Sequence, residues 1–127
     1  MPGGKPTKSN VRATYLLARF FVPLLLNGGL KTLVNMASVD AHITMPGISS
    51  YQSGKLAATR ITEFVALENQ EQGLITFSNH PKNNAETIVD LEILPKPSRA
   101  VFFEPPELPA DGLAFLTKKR REWLSGR

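Results

Sequence analysis

A tyrosine and a lysine, Tyr51 and Lys55, stand four residues apart at the start of a stretch with helical periodicity. Because four residues make about one helical turn, both side chains are expected on one face, with Cβ atoms roughly 5 to 6 Å apart. A free tyrosine has a pKa of about 10 and is a poor base near neutrality, but a neighbouring ammonium favours the phenolate. The pair is therefore a candidate general acid and base for a carbonyl or an alcohol.

Two further polar residues precede this pair. Ser38 ends a short apolar run thirteen residues before Tyr51, and Asn10 opens the first helical stretch. Each residue alone has an ordinary structural interpretation. A serine after a strand usually forms a turn, a tyrosine at a helix start usually packs, and an asparagine there usually caps the helix.

Four segments together resemble the C-terminal portion of a short-chain dehydrogenase/reductase. They are Asn10-Val-Arg-Ala-Thr, Leu33-Val-Asn-Met-Ala-Ser38, Tyr51-x-x-x-Lys55 and Gly73-Leu-Ile-Thr-Phe-Ser-Asn-His-Pro81. Their order and gaps agree with the family over nearly the whole chain after Ser9. The tail from Pro106 to Asp111 and on to Arg127 is similar to the branch of the family common in fungi. Tyr-x-x-x-Lys alone is a weak signal, but four residue types in the family's order and spacing favour common descent.

The resemblance implies a role for each site residue. Tyr51 would exchange a proton with the substrate oxygen while hydride moves to or from a nicotinamide, and Lys55 would lower the tyrosine pKa and bond the nicotinamide ribose. Ser38 would orient the reacting oxygen, and Asn10 would help to position Lys55 through a water. Near the nicotinamide the resemblance places Pro81 and Thr87, with Tyr51 and Lys55 as the other cofactor-binding residues.

The cofactor is NAD or NADP by resemblance, and the residue that would choose between them is not in the chain. The Gly-rich turn that receives the pyrophosphate at a helix N-terminus is absent as well, since Gly3-Gly4 and Gly28-Gly29 follow no strand. Lys82 stands where the family has glycine after Pro81, and Thr87 falls one position late. We therefore expect an NAD(P)-dependent oxidoreductase for an unknown carbonyl or alcohol substrate, incomplete in these residues.

An alternative hypothesis is a non-catalytic remnant or an interaction module. In the family the two long helices form a dimer interface, so residues 12–26 and 55–67 would pair with a second copy or with a full-length relative. Cofactor binding distinguishes this hypothesis from the enzymatic one.

The site residues require an α/β framework. Residues 1–8 form a turn-rich flexible lead, and 9–127 predict helix, strand, helix, strand, loop and helix. This order indicates the C-terminal part of a Rossmann-like domain, a partial doubly wound parallel sheet truncated on its N-terminal side and before the last strand.

The boundaries of these elements follow from periodicity and from breakers. A first helix from Ser9 or Asn10, with Ser9 as its N-cap, ends at Asn27-Gly28-Gly29, and a strand covers residues 32–37. A second helix runs from Ser49 or Ser50 to about Glu71, and a strand covers residues 74–78. The expected inward face of the second helix holds six residues: Ala57, Ala58, Ile61, Phe64, Val65 and Leu67. Residues 81–109 are expected to be mainly loop, and Asp111 is the expected N-cap of a last helix whose apolar stripe holds Leu113, Leu116, Trp123 and Leu124.

The amino-acid composition argues against several classes of function. The 127 residues are 42% hydrophobic and 20% charged, as in a globular chain, and carry a net charge of +4 that lies mainly at the two ends. No aromatic residues interleave with these cations, so a solvated basic face is favoured over nucleic-acid binding. The absence of cysteine excludes disulfides and thiolate zinc sites, and it fits a cytoplasmic protein.

Membrane and metal binding are not expected either. Arg19 and Pro23 interrupt the apolar run of residues 15–26, which is too short to span a bilayer. No small-x-small cleavage site follows it closely, so a signal peptide is not expected either. His42 and His80 have no further ligand at metal-binding spacing, so both are expected to pack in loops.

Overall fold

The computed structural model describes residues 8–81 and 107–126. A π-helical segment, Lys8–Ala13, leads into helix α1 at Thr14–Leu26. Strand β1 at Thr32–Met36 is followed by a 3₁₀ turn at Val39–Ala41 and by helix α2 at Ser49–Asn69. Strand β2 covers Ile75–Asn79, helix α3 covers Glu107–Lys118, and a second 3₁₀ turn covers Glu122–Leu124.

The two strands form a parallel sheet, in which Thr32 pairs with Ile75 and Met36 pairs with Asn79. Parallel neighbours need a long crossover, and α2 provides it. The predicted α/β class with a parallel sheet is confirmed. The carboxyl ends of both strands meet at one edge, where the Ala37 amide donates to the Asn79 carbonyl over 2.8 Å.

The C-terminal segment lies along β2. The Gly126 amide donates to the Thr76 carbonyl over 2.9 Å, and the Thr76 amide donates to Ser125 Oγ over 3.2 Å. At the amino ends of the strands, Arg120 donates from Nη1 to the Leu30 carbonyl and from Nη2 to the Gly73 carbonyl, each over 3.0 Å. One guanidinium therefore joins the residues that lead into both strands.

A small core joins α1, α2 and the start of β2, and the apolar residues at its centre are Ala18, Val22, Val65 and Leu74. A polar network lies beside it. Asn35 Nδ2 donates to Thr62 Oγ1 over 2.7 Å, and the Thr62 hydroxyl donates to the Ala58 carbonyl. Thr76 Oγ1 in turn donates to the Thr62 carbonyl over 3.1 Å, so two fully buried threonines fasten α2 to the sheet.

The expected inward face of α2 is partly wrong. Ala58 and Val65 are buried, but Phe64 and Leu67 are mostly exposed. The sheet contacts the side of α2 that carries Ala58 and Thr62, where small residues and hydroxyls allow close approach. Phe64 and Leu67 lie on a side that no described element covers.

Helix α1 also exposes its large apolar residues. Ala18 and Val22 are its buried residues, whereas the larger Tyr15, Phe20 and Leu24 are exposed. Because α1 is apolar around most of its circumference, periodicity alone did not determine which side packs. It ends at Leu26 with Asn27 as its C-cap, so the predicted stop at Asn27-Gly28-Gly29 is confirmed. The predicted Ser9 cap is wrong, since Ser9 lies inside the π-helical segment.

The last helix begins earlier than predicted. It starts at Glu107, so Asp111 lies inside it and is not its cap. Pro109 is tolerated because backbone N–H groups in the first helical turn have no partner within the helix, so the N–H that proline lacks is not missed. The Glu107 carboxylate in the same turn interacts favourably with the positive end of the helix dipole. Trp123 lies outside the helix, in the second 3₁₀ turn, and is exposed, so the predicted stripe is wrong.

Two predicted segments fall largely outside the described residues. They are the flexible lead, of which the structure describes only Lys8, and the loop at 81–109, of which it describes Pro81 and the first three residues of α3. Within the described ranges, no helix combines the length and the apolar character needed to cross a membrane.

Candidate active site

Tyr51 and Lys55 lie on the first turns of α2, close to the carboxyl end of β1. Lys55 Nζ is 5.9 Å from the centroid of the Tyr51 ring, at the outer limit of cation–π attraction. The same Nζ donates to the Met36 carbonyl over 2.9 Å. Burial desolvates this ammonium and lowers the pKa of Lys55. The ammonium is therefore fixed between the phenol ring and the end of the strand.

Ser38 follows β1 by two residues and is buried. Its Oγ accepts from the Asp40 amide over 3.2 Å and caps the 3₁₀ turn, while its hydroxyl donates to Asp40 Oδ2 over 3.1 Å. Both contacts restrict rotation of the hydroxyl. Asp40 was not among the predicted site residues, although a serine two residues before an aspartate at a helical turn is a recognisable capping signal.

Asn10 lies in the π-helical segment, where its carbonyl accepts from Thr14 Oγ1 over 2.6 Å. Single π turns inside helices often occur at functional sites. The Asn10 side chain contacts the backbone of α2 at Gly54, the residue before Lys55. A Cβ at position 54 would lie 3.2 Å from Asn10 Cβ and 3.4 Å from its Nδ2, so glycine permits this close approach. The link from Asn10 to Lys55 through a water stays a prediction.

The loops that follow the two strands are joined by His80. Its Nδ1 accepts from the Val39 amide over 3.3 Å, which agrees with the expected loop-packing role. Pro81 follows directly and is half-buried, whereas Thr87 lies outside the described residues. At the end of β2, Asn79 Nδ2 is buried without a hydrogen-bond partner among the described residues.

Gln52 is a second residue that the sequence reasoning missed. It follows Tyr51 and is only 7% exposed, which is unusual for glutamine. Its Oε1 accepts from the Met45 amide over 3.0 Å and so anchors the loop that leads into α2. Because that contact fixes the orientation of the amide, Nε2 is the atom left without an acceptor in the described part of the chain. Nothing in the local sequence signals this contact.

The side chains present fit the nicotinamide end of a dinucleotide better than a metal. An ammonium has three donors, and the Met36 carbonyl takes one from Lys55, which leaves two for ribose hydroxyls. In residues 8–81 and 107–126 there is no group of three or more His, Cys, Asp or Glu side chains that could hold a metal ion.

Comparison with known proteins shows which family this chain resembles. No family model matches the chain. It is 46% identical over 121 residues to the short chain dehydrogenase mpl6 of Monascus purpureus and 45% identical over 124 residues to the short chain dehydrogenase tazN of Aspergillus terreus. The short chain dehydrogenase andI of Emericella variicolor is 40% identical over 118 residues.

These matches cover 93% of this chain, but the chain spans only 40%, 26% and 40% of the three relatives. A bacterial relative, the 2-(R)-hydroxypropyl-CoM dehydrogenase of Xanthobacter autotrophicus, is 35% identical over 65 residues, or 51% of this chain and 26% of its own. The short coverage of each relative agrees with the expected C-terminal portion of such a protein. The chain belongs to the short-chain dehydrogenase/reductase family.

Proposed function

We propose that these residues form the catalytic part of an NAD(P)-dependent oxidoreductase that interconverts a carbonyl and an alcohol. The observation that carries the proposal is the position of the Lys55 ammonium, 5.9 Å from the Tyr51 ring and hydrogen-bonded to Met36, two residues before Ser38. Membership of the short-chain dehydrogenase/reductase family supports it. The catalytic roles of Asn10, Ser38, Tyr51 and Lys55 stay predictions.

When bound, the nicotinamide supplies or accepts the hydride. Tyr51 holds the proton that moves to the substrate oxygen in reduction and receives it in oxidation. Lys55 places its ammonium 5.9 Å from the centroid of the Tyr51 ring, and its partial burial means that water screens this charge less. The contact with the Asp40 amide uses one lone pair of Ser38 Oγ and leaves the other free. When substrate binds, the Ser38 hydroxyl rotates so that its hydrogen bond to the Asp40 carboxylate is replaced by one to the substrate oxygen.

The cofactor assignment is NAD or NADP. Tyr51, Lys55, Pro81 and Thr87 would hold the nicotinamide and its ribose, while the phosphate-binding turn is not part of this sequence. A relative's N-terminal strands can supply that turn. We also propose a cytoplasmic location, because the chain has no cysteine and nicotinamide cofactors are abundant in that compartment.

Activity of a completed protein tests the function. The chain is fused behind the N-terminal part of the Monascus purpureus relative, and NADH or NADPH consumption is followed with a panel of ketones. Tyr51→Phe should abolish turnover, and Lys55→Met should shift the pH optimum and weaken cofactor binding. Tyr15→Phe is the matched control, because Tyr15 is exposed on α1. Full activity of the Tyr51→Phe protein refutes the role of Tyr51.

A specific observation also favours an interaction role for the two long helices. Large apolar side chains are exposed along both, on α1 Tyr15, Leu17, Phe20, Phe21 and Leu24, and on α2 Leu56, Phe64 and Leu67. Exposed apolar patches of this kind mark interfaces. We propose that this surface pairs with a second copy or with a full-length relative.

Sedimentation tests the pairing. Phe20→Asp should dissociate the dimer, because Phe20 is 66% exposed in one chain and its carboxylate replacement would be desolvated in the interface. Ala114→Asp adds the same charge at an exposed position of α3 and should leave the dimer intact. A monomer at every concentration, both alone and mixed with a full-length relative, contradicts the interaction role.

A further inference from the structure

Five apolar side chains remain partly open on the segments that carry the site. They are exposed by 43% at Met36, 43% at Val39, 45% at Ile43, 39% at Met45 and 39% at Ile48. We call them the apolar rim. Met36 ends β1, Val39 follows Ser38, and Ile48 directly precedes α2, which carries Tyr51.

Hydrogen bonds hold three rim residues against the site by their backbones. The Met36 carbonyl accepts from Lys55 over 2.9 Å, and the Val39 amide donates to His80 over 3.3 Å. The Met45 amide donates over 3.0 Å to Gln52, the neighbour of Tyr51. These three backbone groups are already paired and are not free to bind a ligand, and the exposed side chains of the same residues are apolar.

The segment that carries the apolar rim has almost no charged side chains. Between residues 32 and 54 the sequence contains no lysine or arginine, and its one formally charged side chain is Asp40. That carboxylate accepts the Ser38 hydroxyl next to the reacting group. The cation that does face the site, Lys55, donates one hydrogen bond to Met36, and its two other donors are the ones assigned above to the ribose hydroxyls. A carboxylate or phosphate on the substrate would meet Asp40 and gain no dedicated cation from this segment.

We propose that the apolar rim selects a neutral, apolar ketone or the corresponding alcohol and discriminates against anionic carbonyl compounds. This substrate class rests on the redox function proposed above. Only the reacting oxygen needs polar partners, from Ser38 and Tyr51, and the remainder of the substrate is held by burial against the rim.

Photolabelling tests the rim without a cofactor. The 127-residue chain is irradiated with benzophenone, a neutral apolar ketone that inserts into nearby C–H bonds, or with its anionic analogue 4-benzoylbenzoate. Trypsin cleaves after Lys31 and Lys55, so the rim falls in peptide 32–55, and the exposed Phe20 and Phe21 of α1 fall in peptide 20–31. Mass spectrometry then reports which surface was labelled.

We expect benzophenone to label peptide 32–55 and 4-benzoylbenzoate to label it at least about fivefold less, as expected for desolvating one charged group. An excess of 2-nonanone should suppress the rim label, and nonanoate should not. Met45→Asp should lower labelling about fivefold, the loss expected for roughly half of one buried apolar side chain. Ala114→Asp, which places the same charge at an exposed position of α3, is the matched control and should leave peptide 32–55 labelled as before.

Two results overturn the proposal. One is equal labelling of peptide 32–55 by the neutral and anionic probes. The other concerns Met45→Leu, which keeps an apolar side chain but removes the sulfur that benzophenone attacks readily. If Met45→Leu loses the label as completely as Met45→Asp, the signal reports sulfur chemistry and not binding. Since labelling requires no turnover, an inactive fusion protein with a labelled rim contradicts only the redox function.

Discussion

Replacing Thr62 by valine tests the polar network that fastens α2 to the sheet. The substitution keeps the shape of the side chain but removes the hydroxyl that accepts from Asn35 Nδ2 over 2.7 Å and donates to the Ala58 carbonyl over 3.0 Å. Thr62 is fully buried and Asn35 is half-buried, so water has little access to replace the lost acceptor. An unpaired buried donor costs about 1 to 3 kcal/mol, and we expect Thr62→Val to lower the free energy of unfolding by that amount.

Two further variants show whether the cost comes from the orphaned amide. Asn35→Leu combined with Thr62→Val removes both partners of the hydrogen bond. The double variant should therefore lose less free energy of unfolding than the two single variants lose together. Thr76→Val is the matched control, because Thr76 is equally buried but only donates to the Thr62 carbonyl over 3.1 Å. Its loss should cost less than about 1 kcal/mol, since a carbonyl with one empty lone pair is less costly than an unpaired N–H.

The assay is urea unfolding followed by far-ultraviolet circular dichroism, with sedimentation of each sample to ensure that all variants have the same association state. Coincident near- and far-ultraviolet transitions justify a two-state treatment. The reasoning fails if Thr62→Val is as stable as the parent chain, or if the losses of the two single variants simply add in the double variant.

Further predictions concern the site. The 127-residue chain alone should show no saturable NADH or NADPH fluorescence titration in the micromolar range, an affinity of about −8 kcal/mol, because its sequence has no phosphate-binding turn. Gly54→Ala should displace Asn10, whose Cβ would lie 3.2 Å from the new methyl group, and the loss should appear in the stability of the helical segment that carries Asn10. Gln52→Leu should speed hydrogen exchange of the Met45 amide, while the Val39 amide, held by His80, keeps its rate. Burial lowers the pKa of Lys55, so unfolding takes up a proton between that lowered value and 10.5, and stability should rise with pH across this window. At lower pH the cost of burying the charged ammonium is fully present, and Lys55→Met should abolish the rise.

The elements that position the site could be predicted because their signals are local. The four-residue spacing of Tyr51 and Lys55 puts both on the same end of α2, and Gly73, which has a φ of +77°, marks the end of the connection into β2. The exposed faces of α1 and α2 could not be predicted, because burial depends on which other elements are present.

The contacts made by Gln52 and Asn35 were missed for a different physical reason. Gln52 reaches back seven residues to Met45, and Asn35 bonds Thr62 across 27 residues. Periodicity describes which side chains share a face of one element, and it carries no information on a polar partner from another element. The contact between Asp40 and Ser38 was easier to predict from the sequence, since it spans only two residues.

The position of Arg120 has a consequence for how such a protein can diversify. Its hydrogen bonds to Leu30 and Gly73 hold the amino ends of both strands, at the opposite edge of the sheet from Ser38 and Lys55. Mutations in the loops at the carboxyl edge can therefore change the candidate site while the Arg120 hydrogen bonds stay intact. The contacts that hold the strands together and the residues of the candidate site are therefore separated by the length of the sheet.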